Sequence, residues 1–258
     1  MKIAIYTVLT GNYDEIRIPL VIDKRFDYIL FSDKMTRETI GPWRVQSIPN
    51  VIDDVQRLSR FPKMQPHVVL PDYDYSLYID ANVQIATQFV YDRVIELINS
   101  SIALAGIKHQ TRNCAYEESF RVLVSLPNIN KRHLLHEMSK FKQQGFPFNY
   151  GMYEANVIFR SHSDEKVRAQ CDEWWSIYKT AVKRDQLCYS YTLWKHQMQW
   201  CFFLPEEFDT KSHDSFIYHE HVGGRKIVME NKRKYLRNLY RPLFCAYKIL
   251  ITSLSYFI

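Results

Sequence analysis

The chain opens with an unbroken apolar and β-branched run over residues 3–9 that ends in Thr10-Gly11-Asn12. A run of that length closed by turn residues predicts a buried strand entering a loop. Residues 28–31 repeat the pattern and stop at Ser32-Asp33. Residues 75–79 repeat it again, between the turn-forming Pro71-Asp72-Tyr73-Asp74 and Asp80-Ala81-Asn82, and two more such runs cover 102–107 and 153–159. Between them the pattern predicts helices over 89–99, 114–126, 130–144, 164–182 and 184–197. Strands separated by helices, with polar residues gathered where strands end, predict an α/β sandwich whose ligands sit at the carboxyl edge of the sheet. No internal repeat or long linker interrupts the chain. One domain is expected over 1–224, followed by a tail over 225–258 that is basic and then apolar.

Composition narrows the chemistry. With 47% hydrophobic and 24% charged residues in 258, the chain is neither disordered nor low-complexity. It contains no G-x-G-x-x-G and no G-x-x-x-x-G-K-[ST], which removes glycine-built phosphate cradles of the Rossmann and P-loop kinds. The net charge of +6 is concentrated: between Arg225 and Lys248 eight basic residues face Glu230 alone, leaving the rest nearly neutral. A nucleic-acid partner is therefore not expected. The tail suits the anionic inner face of the cytoplasmic membrane, as a peripheral attachment, or forms a C-terminal helix docked on the domain with its basic side in water. Five cysteines with no C-x-x-C pair point to reduced thiols and a cytoplasmic protein. Polar residues break the first apolar run early, so no signal peptide is expected, and no apolar run is long enough to span a bilayer.

Asp80 and Asn82, two apart at the end of a strand, can aim two oxygen ligands at one hard cation, or can simply close a turn by capping backbone N–H groups. Arg57, Arg60 and Lys63 recur at three-residue spacing before Pro66-His67. If helical, they share a side that could meet a diphosphate or only form a solvated face, and Pro62 argues against an unbroken helix. Asp185 opens a helix, where a carboxylate is favoured beside unpaired N–H groups. His219 and His221, two apart, could be ligands or surface. No G-x-S-x-G elbow, H-E-x-x-H helix or nucleophilic-cysteine signature occurs.

Taken with Tyr6 and Tyr13-Asp14, the segments at 3–14, 28–33 and 78–82 resemble the opening of GT-A glycosyltransferases. They are most like the plant mucilage-related glycosyltransferase family and its bacterial relatives. Cys114-Ala115-Tyr116-Glu117-Glu118 and the segment 184–191 extend the likeness, which covers about 1–224. The resemblance implies a GT-A-type α/β/α sandwich with a mixed, mostly parallel sheet and a hexosyltransferase-type enzyme working in surface-polysaccharide biosynthesis. It would move a sugar from a nucleotide-diphosphate donor, uridine-based, to a saccharide or lipid-linked acceptor. Carried over by position, Thr7, Thr10, Gly11, Tyr13 and Asp33 would hold the nucleoside, and Arg57, Arg60 and Lys63 the diphosphate. Asp80-Ala81-Asn82 stands at the D-x-D position, with Asn in the third place where a second acid is usual. Asp80, Asn82 and His221, the last in an H-x-x-G segment, would hold Mn²⁺ or Mg²⁺. Phe148-Asn149-Tyr150-Gly151 is similar to an F-N-x-G donor-pocket segment in which Asn149 orients the sugar. Asp185, with Gln186, and Glu154 are the implied carboxylates near the reacting carbon. The rival class is a noncatalytic module that binds a nucleotide sugar or a glycan without turnover.

Overall fold

The structure, a computed structural model, describes all residues except 12–13, 35–36, 50–51, 126–128, 222–229 and 258, and for 230–241 the backbone alone. The strands are β1 (Ile3–Leu9), β2 (Asp27–Ser32), β3 (Thr39–Ile40), β4 (Trp43–Ser47), β5 (Tyr75–Ile79), β6 (Val83–Ile85), β7 (Leu104–Lys108), β8 (Tyr153–Ser161), β9 (Cys201–Phe202) and β10 (Phe216–Tyr218). The helices are α1 (Val55–Met64), α2 (Pro66–Val69), α3 (Phe89–Asn99), α4 (Ala115–Ser125), α5 (Lys131–Gln143), α6 (Glu165–Tyr178), α7 (Asp185–Lys195) and α8 (Glu230–Leu254).

Eight strands form one sheet in the order β3-β4-β2-β1-β5-β8-β7-β9. β1 runs parallel to β2 and β5, β2 to β4, and β7 to β9. β8 is antiparallel to both its neighbours, and β3 to β4. The sheet is thus mixed and mostly parallel, as the family resemblance implies. Tyr6, Phe31, Tyr78 and Ile158 face one core, shared with α1, α4, α5, α6 and α7. Ile5, Leu30, Leu77 and Phe159 face the other, shared with α3. Layers on both faces explain why β1 reads as a continuous apolar run rather than an alternating one.

This topology fixes one working edge. The carboxyl ends of β1, β5 and β7 emerge together, and antiparallel β8 begins there, so Asp80 and Glu154 meet at the same rim; Asp80 N–H donates to the Asn156 carbonyl at 2.8 Å. β6 and β10 form a separate antiparallel ribbon whose Tyr218–Val83 pairing brings the chain after 218 alongside Asn82. At Gly106, beside a bulge in the β7–β8 pairing, a Cβ would stand 2.7 Å from the Trp200 ring, so the strand accepts only glycine there.

The predicted helix over 164–182 ends earlier, at Tyr178. β3, β6, β9 and β10 are only two or three residues long and carry no period that could announce them. The second half of α8 docks on the domain: Tyr247 and Ile251 are buried, the Tyr247 hydroxyl lies 2.7 Å from Ser119 Oγ, and Phe120 packs on Phe244 and Tyr247. The described end of the tail thus shares the domain's core through Tyr247 and Ile251. The basic side chains from 225 to 241 lie outside the described residues. Among those described, no helix is long and apolar enough to cross a membrane.

Candidate active site

The floor of the rim is built on Lys63. Asp54 caps α1 by accepting from Gln56 N and Arg57 N at 3.1 and 3.2 Å, and Pro62 is accommodated in the last turn. There the Lys63 carbonyl accepts from the Tyr6 hydroxyl and from an Arg160 guanidinium nitrogen at 3.4 and 2.9 Å. Arg160 is itself fully buried beneath the Trp174 ring. With its backbone held, the Lys63 side chain, 2% exposed, sends Nζ between two acids. It stands 2.9 Å from Asp185 Oδ2 and 3.3 Å from Asp80 Oδ1. The Tyr78 hydroxyl donates to that same Asp80 oxygen at 2.6 Å, and Arg60 Nε to Asp185 Oδ2 at 3.2 Å. A buried ammonium is tolerable only with such partners.

Asp185 is the first residue of α7, and its carbonyl accepts from Trp174 Nε1. Burial pushes its carboxyl up, but the Lys63 ammonium and the Arg60 guanidinium outweigh that and hold it well below the usual carboxylate range. Asp185 therefore keeps its negative charge throughout the working range of pH. Gln186 meets it through a backbone N–H on Oδ1.

Glu154 has the opposite environment. No cation pairs with it among the described residues; Asn156 Nδ2 donates to its Oε2 at 2.9 Å and also to Thr210 Oγ1. Burial lifts its carboxyl to about 7, against the Asn156 hydrogen bond and a weak pull from Lys211, with Asp209 and Asp80 adding to the rise. One rim thus carries an acid locked ionised and another poised near neutrality.

On the β1 side, Gly11 adopts φ +63°, and its N–H donates to both oxygens of Asp33 at 3.0 and 3.1 Å. Asp33 so pins the loop after β1. Thr10 Oγ1 reaches the Val55 carbonyl. Thr7, 2% exposed, leaves its hydroxyl without a hydrogen-bond partner among the described residues. Thr7, Asp80, Ala81 and Trp43 line a slot of about 10 Å³, room for one water-sized group. Tyr13 lies outside the described residues. Asn149, exposed, adopts φ +59°, the left-handed backbone that Asn tolerates better than most residues.

Over residues 2–221 the sequence matches the family described as TOD1/MUCI70, glycosyltransferase-like domain. The chain belongs to this family. Its architecture is an α/β sandwich with a large mixed sheet of eight strands. No curated protein matches the chain. Among solved structures, mouse xyloside xylosyltransferase 1 in its apo form is similar over 78% of this chain and 85% of that one, at 8% identity and a TM-score of 0.44. That likeness is too distant to inform residue roles.

In this TOD1/MUCI70 chain the expected metal trio is not assembled. Asn82, 3% exposed, spends its amide nitrogen on the His219 carbonyl at 2.9 Å, tying the β10 end to the rim. His221 turns Nδ1 to the Asp14 carboxylate at 2.8 Å. Asp80 Oδ1 already takes two donors. Among the described residues no group of three His, Cys, Asp or Glu could hold an ion. One carboxylate and a buried carboxamide fall short of the oxygen set that Mn²⁺ or Mg²⁺ requires, so these residues do not fit the group.

The basic triplet is also redistributed. Arg57 pairs with Asp54 and donates to the Ala181 carbonyl at 2.9 Å, holding the loop before α7. Lys63 lies beneath the two acids rather than over them. Arg60, its side chain 30% exposed, is the member that keeps a face toward the open edge. The residues that position these groups, Tyr6, Tyr78 and Arg160, read as core from the sequence. Tyr78 carried a signal: two residues before Asp80 on a strand, it points to the same face. Arg160 carried none.

Proposed function

We propose that this glycosyltransferase-family chain moves a sugar from a nucleotide-diphosphate donor, uridine-based, onto a saccharide or lipid-linked acceptor in surface-glycan synthesis. The observation that carries the reading is the pair Asp80 and Asp185, held on one buried ammonium at the carboxyl edge of the parallel strands. The nucleoside lies over the β1 and β2 ends, by Thr7, Thr10, Gly11 and Asp33, and the diphosphate meets Arg60. Asp80, fixed by Lys63 and Tyr78, and Asp185, fixed and ionised, accept hydrogen bonds from the sugar hydroxyls, with Asn149 at the pocket's lip. In the transfer the bond from the anomeric carbon to the diphosphate oxygen breaks and the bond to the acceptor oxygen forms. The acceptor's proton passes to Glu154, and the nucleoside diphosphate leaves with the electron pair of the broken bond. Asp185 cannot take that proton, because Lys63 and Arg60 stabilise its charged form.

The test is nucleotide release across a donor panel. Release with a uridine-based donor and a saccharide acceptor supports the reading. Donor binding with no release from any member overturns it in favour of a noncatalytic module. For placement, we propose a cytoplasmic protein resting on an anionic membrane surface. α8 turns Leu243, Ile249 and Leu250, with Tyr256 and Phe257 beyond it, outward, and the chain just before them is rich in Lys and Arg. Sedimentation with anionic but not neutral vesicles supports this placement; equal recovery from both overturns it.

A further inference from the structure

Three helix stripes converge away from the rim. Along α5 and the residue that caps it the positions 133, 137, 140 and 144 share one side, along α6 and just beyond it 173, 177 and 180 share another, and on α7 the positions 191 and 195 lie one turn apart. Together they line a cleft of about 280 Å³. Ala181 closes it on one side, and the backbone there stands between the cleft and the rim. Glu137, from the cleft, takes the Val182 N–H at 3.1 Å, while Arg57 of α1 donates to the Ala181 carbonyl at 2.9 Å. None of Asp33, Lys63, Asp80, Glu154 and Asp185 lines the cleft. The chain from Ala181 to Asp185 nevertheless spans at most about 14 Å.

The lining says what fits. The Phe141 and Tyr191 rings, stacked 3.9 Å apart, stand in the wall beside Ile177 and give an apolar surface for the face of a sugar ring. Groups that donate and accept hydrogen bonds surround that surface: the Gln144 amide, the Thr180 hydroxyl and the Glu137 carboxyl. Glu137 is the deep member, 7% exposed, and burial lifts its carboxyl to about 7. Near neutrality it therefore serves both as donor and as acceptor. The charges balance. Lys195 and His196 both turn to Glu173, the histidine at 2.6 Å, and the two lysines of the lining, Lys140 and Lys195, stand against Glu137 and Glu173. An ionic ligand calls for one dominant sign, whereas a neutral one is held by an apolar wall and a few placed polar groups. We propose that this cleft is a second saccharide site, binding one neutral pyranose ring of a glycan apart from the ring that reacts. The inference rests on the transferase reading for the choice of a glycan, and on the lining alone for the site's place and neutrality. The short span to Asp185 lets that ring belong to the acceptor chain being extended.

The test is a titration of the wild-type protein, isotope-labelled in the methyl groups of Ile, Thr and Ala, followed by NMR. The probes are methyl glucoside, methyl galactoside and methyl xyloside, with sorbitol as the open-chain control and methyl glucuronide as the charged one. At least one neutral glycoside should shift the Ile177, Thr180 and Ala181 signals saturably, with an affinity that changes by less than about twofold between low and high salt. Sorbitol should leave these signals in place, and the glucuronide should bind no more tightly than the glucoside. Ser176→Trp, which fills the cleft from an exposed position on α6, should abolish the shifts. No saturable shift at these methyls, equal shifts with sorbitol, tighter binding of the charged glycoside, or shifts that persist in Ser176→Trp overturns the site. Should that variant not fold, the wild-type probe series and its salt dependence still decide. UDP added to the same sample reads the donor side at the Thr7 and Ala81 methyls. Cleft shifts without a UDP response count against the transferase reading and leave the saccharide site standing.

Discussion

Two parts of one rim treat the same functional group in opposite ways. On the helical side, Asp185 is surrounded by Lys63 and Arg60 and stays charged however deeply it is buried. On the β8 side, Glu154 has an amide for a hydrogen-bond partner and only a weak pull from Lys211, and burial lifts its carboxyl to about 7. Burial acts on both; the counter-ion decides which way the acid goes. The charged acid suits fixed hydrogen bonding to a substrate, and the poised one suits proton transfer.

The sharpest way to break the contrast is Lys63→Met. It leaves two carboxylates facing each other around a hole, and removing one member of a buried ionic cluster costs about 3–5 kcal/mol. Thermal unfolding should shift down strongly, and nucleotide release should fall about a thousandfold or more. A variant of near-native stability and activity would show that Asp80 and Asp185 need no internal cation. Glu154→Gln comes next. Release should drop by about 10²–10⁴-fold, the usual worth of a general base, while donor binding and stability change little. In the wild type the rate should climb with pH to a plateau above about 7, as Glu154 loses its proton, and a pH-independent rate would remove Glu154 from the proton path.

Glu137 of α5 separates titration from catalysis. It is 7% exposed, burial lifts it to about 7, and it accepts from the Val182 N–H at 3.1 Å. Because its folded pKa lies above the unfolded value near 4.5, the folded state holds the extra proton between those pH values. Its contribution to stability is full below the unfolded value and is lost as pH rises through about 7. Glu137→Gln should therefore raise stability at pH 8, by on the order of 2 kcal/mol, with no change in the pH–rate profile. A shifted rate profile would mean that the inflection does not belong to Glu154. Smaller still is the effect of chelation: with no three-ligand site among the described residues, UDP affinity should survive EDTA within about twofold. A loss that Mn²⁺ restores would mean that Asn82 and His221 rearrange to bind an ion.

Much of the scaffold was legible in the sequence, because its strands are short apolar runs buried on both faces and its helices have caps and period. β1 and α3 match their predicted bounds, and the turn at 80–82 stands where a strand had to end. The residue types of the site were legible too: Asp80 stands at the carboxyl end of β5, and the antiparallel start of β8 and the start of α7 bring Glu154 and Asp185 to the same edge. The charge states were not. Spacing put Lys63 beside Arg57 and Arg60 as an equal phosphate contact, while packing under Arg160 and Tyr6 sank it between two acids. Asn82 and His221 had plausible ligand chemistry, yet long-range neighbours at positions 219 and 14 claimed them. Local pattern determines where a chain turns and which face is apolar; which charges meet depends on contacts more than a hundred residues apart, and those exist only once the sheet has ordered its strands.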